Sequence, residues 1–114
     1  MTDQTSADIT PDQVVGEMPG FFISEKAGST AAVIQFDLSG DNAGKWFIKI
    51  ADGHATSGEG EVEGPNLTFL ADSRDFVKIF TNQLDPTAAF MSGKLKIKGD
   101  MGLAIRMQSM FRRP

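Results

Sequence analysis

Few side chains in this 114-residue sequence could do chemistry at neutral pH, and they are scattered. His54 is the only histidine, the residue type whose ordinary pKa lets it trade protons near neutrality. It follows an Asp52-Gly53 turn, with no second histidine to share a metal and no nucleophile beside it. That setting reads as an exposed or structural residue. The fifteen carboxylates fall in loops, at helix caps or at outward strand positions. None lies within an apolar run, where burial would raise its pKa for acid–base work. Asp37 is placed to pair across a sheet with Lys45 or Lys49. Residues 40–44 lack the Gly-Lys-Ser/Thr that carries a phosphate loop into a helix. Zero cysteines remove thiolate catalysis, disulfides and zinc–cysteine sites together. No reaction can be named from these residues, and neither a cofactor nor a metal is expected.

The chemistry that does stand out is apolar. Four of the six methionines, Met91, Met101, Met107 and Met110, gather in the last quarter of the chain. Methionine is flexible and polarisable, suited either to filling core gaps or to a surface that repacks around varied shapes. At about 100° per residue, Met101, Leu103, Ala104, Ile105, Met107, Met110 and Phe111 cover an arc of roughly 220° around a helix spanning residues 100–111. A surface helix of a soluble domain usually needs about 100° or a little more. Gly102, Arg106 and Ser109 form its only solvent face, and Gln108 falls inside the apolar arc. Such a helix packs on a sheet with one side and needs another apolar body, protein or ligand, for the rest. Gln108, if buried, must find a backbone partner or the polar end of a ligand.

The elements that must position this helix are legible from periodicity. Thr10-Pro11-Asp12-Gln13 reads as a capping box with proline at the first helical position. Pro19-Gly20 limits that helix, Phe21, Phe22 and Ile23 form an apolar plug, and residues 25–29 read as a small-residue connection. Residues 30–38 alternate, with Ile34, Phe36 and Leu38 opposite Val33, Gln35 and Asp37. Residues 45–51 alternate again, with Trp46, Ile48 and Ile50 inward. Asp52-Gly53 is a two-residue hairpin turn into residues 54–63, a strand with Glu59, Glu61 and Glu63 on one face and Gly58 and Gly60 on the other, which should make it thin and peripheral. Residues 67–71 form a fourth strand. A helix capped by Asp72 or Ser73 runs to about Gln83, with Phe76, Val77, Ile79, Phe80 and Leu84 as its stripe. Asp85-Pro86 opens a short helical turn through Met91, and residues 93–99 form the last strand, Leu95 and Ile97 inward. Its lysines 94, 96 and 98 read as a solvated face, or as a row that meets anionic headgroups or an acidic partner. Alternation implies one buried and one solvated sheet face, with helices on one side.

Composition bounds the rest. A chain of 114 residues with 40% hydrophobic and 23% charged content is sized for one globular domain. The expected organisation is a tail at 1–9 and a single domain at 10–114. A net charge of −4 argues against a nucleic-acid partner. The acidic, polar start does not look like a signal peptide, and no apolar run approaches the roughly 18 residues a span needs. A soluble, cytoplasmic protein is the expectation.

The residues also carry a likeness. Its stretches are Glu17-Met18-Pro19; Ile34-Gln35-Phe36-Asp37-Leu38-Ser39-Gly40; Lys45-Trp46-Phe47-Ile48; and Leu84-Asp85-Pro86 followed by the run from Ala89 to Ala104, which contains Phe90-Met91-Ser92-Gly93-Lys94-Leu95-Lys96-Ile97-Lys98-Gly99-Asp100-Met101-Gly102. Through them the chain resembles the sterol carrier protein-2 type lipid-binding domain in its small, stand-alone bacterial form, from about Thr10 to Phe111. The resemblance implies an α+β fold: a five-stranded mixed, mainly antiparallel sheet, helices covering one face, and an apolar tunnel between them. It implies a lipid ligand (fatty acid, fatty acyl-CoA, phospholipid or sterol) and no catalysis. By the same resemblance the pocket positions are Trp46, Ile48, Phe76, Phe80, Phe90, Met91, Leu103, Met107, Gln108 and Phe111. The chain stops at Phe111-Arg112-Arg113-Pro114, without the small-basic-Leu tripeptide of peroxisomal members, so peroxisomal import is not expected. The reading is a monomeric, non-catalytic lipid binding or transfer protein with transient membrane contact. The rival readings are an interaction or accessory module for a lipid-metabolising enzyme and a small isomerase.

Overall fold

The computed structural model describes residues 9–111; residues 1–8 and 112–114, including the expected tail and the terminal arginines, lie outside the described residues. Helix α1 (Pro11–Glu17) begins as its sequence requires. The Gln13 N–H donates to the Thr10 hydroxyl at 3.3 Å, and the Thr10 N–H donates to Gln13 Oε1 at 3.0 Å, so two otherwise orphaned donors satisfy one another. Ile9, expected in the tail, is instead half-buried against the core. It holds the position before the N-cap and Val14 the fourth helical position, the two sites a hydrophobic staple uses. At Pro19-Gly20 the helix tightens into a 3-10 turn, Met18–Phe21.

Residues 25–29 are not a plain connection. Ser24–Ala27 forms a one-turn helix, α2, ended by Gly28 at φ +58°. The turn is pinned from outside: the Ile23 N–H donates to the Met110 carbonyl at 2.7 Å, and Phe22 bridges Phe111. Propensity alone would not hold so short a helix, which costs more to nucleate than its own bonds return.

Five strands follow: β1 (Ala32–Ser39), β2 (Gly44–Ala51), β3 (His54–Glu59), β4 (Leu67–Asp72) and β5 (Leu95–Gly99), in the spatial order β3-β2-β1-β4-β5. Only β1 and β4 run parallel; the other pairs are antiparallel. The β2–β3 turn puts both Asp52 and Gly53 at positive φ, the pairing whose twist suits a two-residue hairpin. The thin third strand sits at the sheet edge, where its lack of packing groups costs least. Helices α3 (Ser73–Phe80), α4 (Pro86–Met91) and α5 (Met101–Met110) complete the chain, and the five-stranded mixed α+β sheet matches the expected class. Helix α3 ends short of Gln83: the Thr81 hydroxyl donates back to the Val77 carbonyl at 2.9 Å, and Asn82 turns to φ +65°.

The outer sheet face is not simply solvated. Gln35 points there, away from Ile34 and Phe36, yet is only 4% exposed. Its amide donates to the carbonyls of Trp46 at 2.7 Å and Gly60 at 3.0 Å, while its Oε1 accepts from the Val62 N–H at 2.7 Å. The connection from edge strand β3 to β4 must pass two strands, and Gln35 holds it against the sheet. The same crossover shortens the third strand, which ends at Glu59 rather than Glu63. It also redirects a charge pair: Lys45 lies opposite Asp37 in register but reaches Glu61 at 3.5 Å.

Candidate functional site

The inner sheet face carries two kinds of filling. Helix α1 packs against β2, and Val14 and Val15 of the helix, like Ile48 and Ile50 of the strand, are buried to 1% exposure or less. Over β1, β4 and β5 the packing leaves a pocket of about 410 Å³. Phe36, Phe69, Leu95 and Ile97 form its floor; Met18 and Phe21 come from the 3-10 turn, Phe76, Ile79 and Phe80 from α3, and Pro86, Thr87 and Phe90 from α4. Helix α5 supplies Met101, Ala104, Ile105, Met107, Gln108 and Phe111. Seven of the chain's nine phenylalanines border this one space. Several hold each other: Phe36 stacks on Phe69 at 5.7 Å between ring centres, leans on Phe76 at 5.2 Å, and Phe21 meets Phe80 edge-on at 5.6 Å. Such offset and edge contacts fix ring positions beyond what area burial supplies, so the walls are built rather than loosely gathered.

Helix α5 explains why the space stays open. Asp100 caps it, its carboxylate accepting from the Leu103 N–H at 3.0 Å. Leu103 and Met110, at 2% and 1% exposure, are packed into the protein beside the helix and stand outside the pocket's lining. The six pocket residues occupy the next stretch of the helix surface, an arc of roughly 160° at about 100° per residue. The wide apolar arc therefore divides between a packed seam and a pocket wall. At the open side, Phe90, Met101 and Ile105 are exposed, and the two polar lining residues, Thr87 and Gln108, are also exposed. Among the described residues no group of three or more His, Asp or Glu gathers as a metal ion would need. His54 lies exposed at the start of β3, on the opposite sheet edge from β5.

A family model, the SCP-2 sterol transfer family, matches residues 24–112. The chain belongs to that family. Hydroxysteroid dehydrogenase-like protein 2 of Xenopus tropicalis is 42% identical over 105 residues, which is 90% of this chain but 25% of the relative. The chain thus spans about a fifth to a quarter of the length of the curated relatives it matches most fully. Among solved structures, the sec-alkylsulfatase Pisa1 from Pseudomonas sp. superposes with a TM-score of 0.82 at 16% identity, over 96% of this chain and 17% of the sulfatase. Palmitated SCP2L2 from Aedes aegypti superposes at 0.71 with 16% identity, over 87% of this chain and 91% of that one. At such identities the superpositions establish the shared fold.

Within this SCP-2 domain, six of the ten expected positions border the pocket: Phe76, Phe80, Phe90, Met107, Gln108 and Phe111. Four do not. Trp46 belongs to the solid half, where its ring covers Gly44 and its Nε1 donates to Asp12 Oδ1 at 3.0 Å, tying α1 to the sheet. Ile48 is fully buried on the same strand. Leu103 faces the packed seam of α5, and Met91 is 80% exposed beside the rim. The missed residues include Phe36 and Phe69, register partners on the parallel pair. Inward alternation marks Phe36 as buried, but no sequence signal says which buried strand residues face a hollow.

Proposed function

We propose that this domain is a lipid carrier that holds one long hydrocarbon chain in the phenylalanine-walled pocket, as a monomer and without catalysing a reaction. The observation that carries the reading is the pocket itself, apolar on sheet and helix sides alike. Its volume lies within the roughly 300–1,000 Å³ of small-ligand sites, and an apolar ligand restores contacts its walls lack. Burying about 16 carbons at roughly 0.8 kcal/mol per methylene offers on the order of 12 kcal/mol gross. Association and immobilisation offset several kcal/mol of that, leaving micromolar to high-nanomolar affinity. Fatty acids, fatty acyl-CoA, phospholipids and sterols are the cargo classes in view. The palmitated state of the Aedes aegypti neighbour supports a fatty acyl chain.

Equilibrium titration with a fluorescent fatty acid tests the reading. Saturable binding in the micromolar range is expected; none below about 100 µM overturns it. Met107→Asp puts a carboxylate into the apolar wall and lowers affinity at least about tenfold, since burying an unpaired charge costs several kcal/mol. Native mass spectrometry of protein from its own host then identifies the cargo.

A second reading, that the domain serves a lipid-metabolising enzyme, is favoured by the relatives, in which the matched region is a quarter of a longer protein. Cargo-loaded domain would then raise the turnover of such an enzyme beyond what free lipid achieves.

A further inference from the structure

The pocket wall carries a reactivity that holding a lipid does not use. Three thioethers border the space: Met18 from the 3-10 turn, Met101 at the start of α5, and Met107 further along that helix. They differ in access. Met18 and Met107 are buried, at 8% and 7% exposure, while Met101 is 44% exposed at the open side. Met91, by contrast, is 80% exposed and outside the lining. Thioethers are also the one oxidisable kind of side chain that the pocket presents. The chain has no cysteine and no tyrosine. Trp46 belongs to the packed half, where its Nε1 is bonded to Asp12, and His54 stands on the opposite sheet edge from β5. Neither borders the pocket, whose other walls are phenylalanine, aliphatic groups, Thr87 and Gln108, all inert to a peroxide.

We propose that the pocket methionines reduce a peroxidised fatty acyl chain held among them, giving the hydroxy acyl chain and methionine sulfoxide. The inference rests on the proposed function, because the cargo itself delivers the oxidant. The step balances without a further reactant. The thioether sulfur attacks the outer hydroperoxide oxygen, so that an S–O bond forms and the O–O bond breaks. The hydroperoxide proton passes to the departing alkoxide oxygen, which leaves as the alcohol. Sulfur gives up two electrons and the peroxide takes them. Each methionine reacts once until a sulfoxide reductase restores it, so the step is stoichiometric and the domain is still no catalyst. Peroxidation attacks the interior of a polyunsaturated chain, so a chain in the pocket carries its peroxide to the walls. Holding sulfur and peroxide in one cavity replaces a chance encounter in solution. Burial then acts selectively: an oxidant in water reaches Met18 and Met107 poorly, whereas one borne on the cargo meets them directly. Methionines that only fill the wall would oxidise in order of exposure, whichever oxidant is used.

Oxidation by a linoleic acid hydroperoxide and by hydrogen peroxide, each with a metal chelator present, tests this. Peptide mass spectrometry reads the oxygen added at each methionine. Hydrogen peroxide is expected to oxidise Met91 ahead of Met107. The lipid hydroperoxide reverses that order, oxidising Met107 at least about tenfold faster than Met91, with one hydroxy acid formed per sulfoxide. Excess palmitate, which cannot react, suppresses the oxidation of Met107 by the lipid hydroperoxide but not that of Met91 by hydrogen peroxide. At saturating lipid hydroperoxide, combining Met18→Leu, Met101→Leu and Met107→Leu lowers the yield of hydroxy acid at least about tenfold, and Met91→Leu leaves it unchanged. Leucine conserves volume, thermal melting checks the fold of the triple variant, and the order of oxidation in the unaltered protein needs no variant. Met91 oxidised ahead of Met107 by both oxidants, or a yield that the folded triple variant leaves unchanged, overturns the proposal. The fatty-acid titration separates the two readings. Saturable binding with oxidation in order of exposure ends this proposal and keeps the carrier, whereas no binding ends both.

Discussion

Gln35 shows how much one side chain can decide. It is a polar residue at an outward strand position, and such positions are normally wet. Here its three hydrogen bonds tie the Gly60–Val62 stretch to the sheet, and the amide makes this connection in a setting where water is largely excluded. Truncation leaves the Val62 N–H and Gly60 carbonyl without that partner, a loss that exceeds the net value of a single hydrogen bond. Gln35→Ala is expected to destabilise the fold by about 2–3 kcal/mol, read as a lower urea midpoint at unchanged slope. Its lipid affinity should not change, because Gln35 points to the opposite sheet face from the pocket. Residue-scale reading of the sequence could not see this. Alternation placed Gln35 on the outer face correctly, but the crossover that covers it depends on strand order.

At the scale of elements, β5 and α5 work as one piece around Gly99. Gly99 has φ +105°, and a Cβ there would meet the Asn66 carbonyl oxygen at 2.5 Å and the Leu67 Cα at 3.1 Å. The Asp100 N–H donates to that same Asn66 carbonyl at 3.0 Å, so the junction is held against the start of β4. Gly99→Ala is expected to cost at least about 2 kcal/mol, from backbone strain together with a clash no side chain can relieve. Because α5 forms one pocket wall, the variant should also weaken fatty-acid binding, whereas a surface change such as Ser109→Ala should do neither. Helix α5 was the most legible element in the sequence, since its apolar arc was too wide for one packed face. What periodicity left open was how that arc divides, with Leu103 and Met110 in the packed seam and Met107 and Phe111 on the pocket side.

The whole molecule is asymmetric across one sheet: solid under α1, hollow under α3, α4 and α5. The two halves should answer mutation differently. Ile48→Ala, in the solid half, is expected to cost about 3 kcal/mol, since close-packed neighbours collapse only partly into the gap. Phe90→Ala, at the half-exposed rim, should cost no more than about 1 kcal/mol in stability while lowering lipid affinity several-fold. Chemical denaturation and fatty-acid titration of both variants separate the two effects. Ligand at about a hundredfold excess over Kd should stabilise the protein by about 2.7 kcal/mol, visible as a rise of several degrees in melting temperature.

The sequence by itself determined which strand residues face inward, where the five strands and most of the helices lie, and that the final helix had more apolar surface than one packing partner could cover. Local physics suffices for these: side-chain periodicity, cap chemistry at Thr10, Asp85 and Asp100, and glycine at turns that need positive φ. Only the tertiary structure decided that Trp46 and Ile48 belong to the packed half while Phe36 and Phe69 floor the pocket. All four are inward-facing residues of the same sheet, and alternation treats them alike. Their difference arises from which helix lies above each strand, and that follows from the order β3-β2-β1-β4-β5, a property of the folded chain that no stretch of neighbouring residues contains.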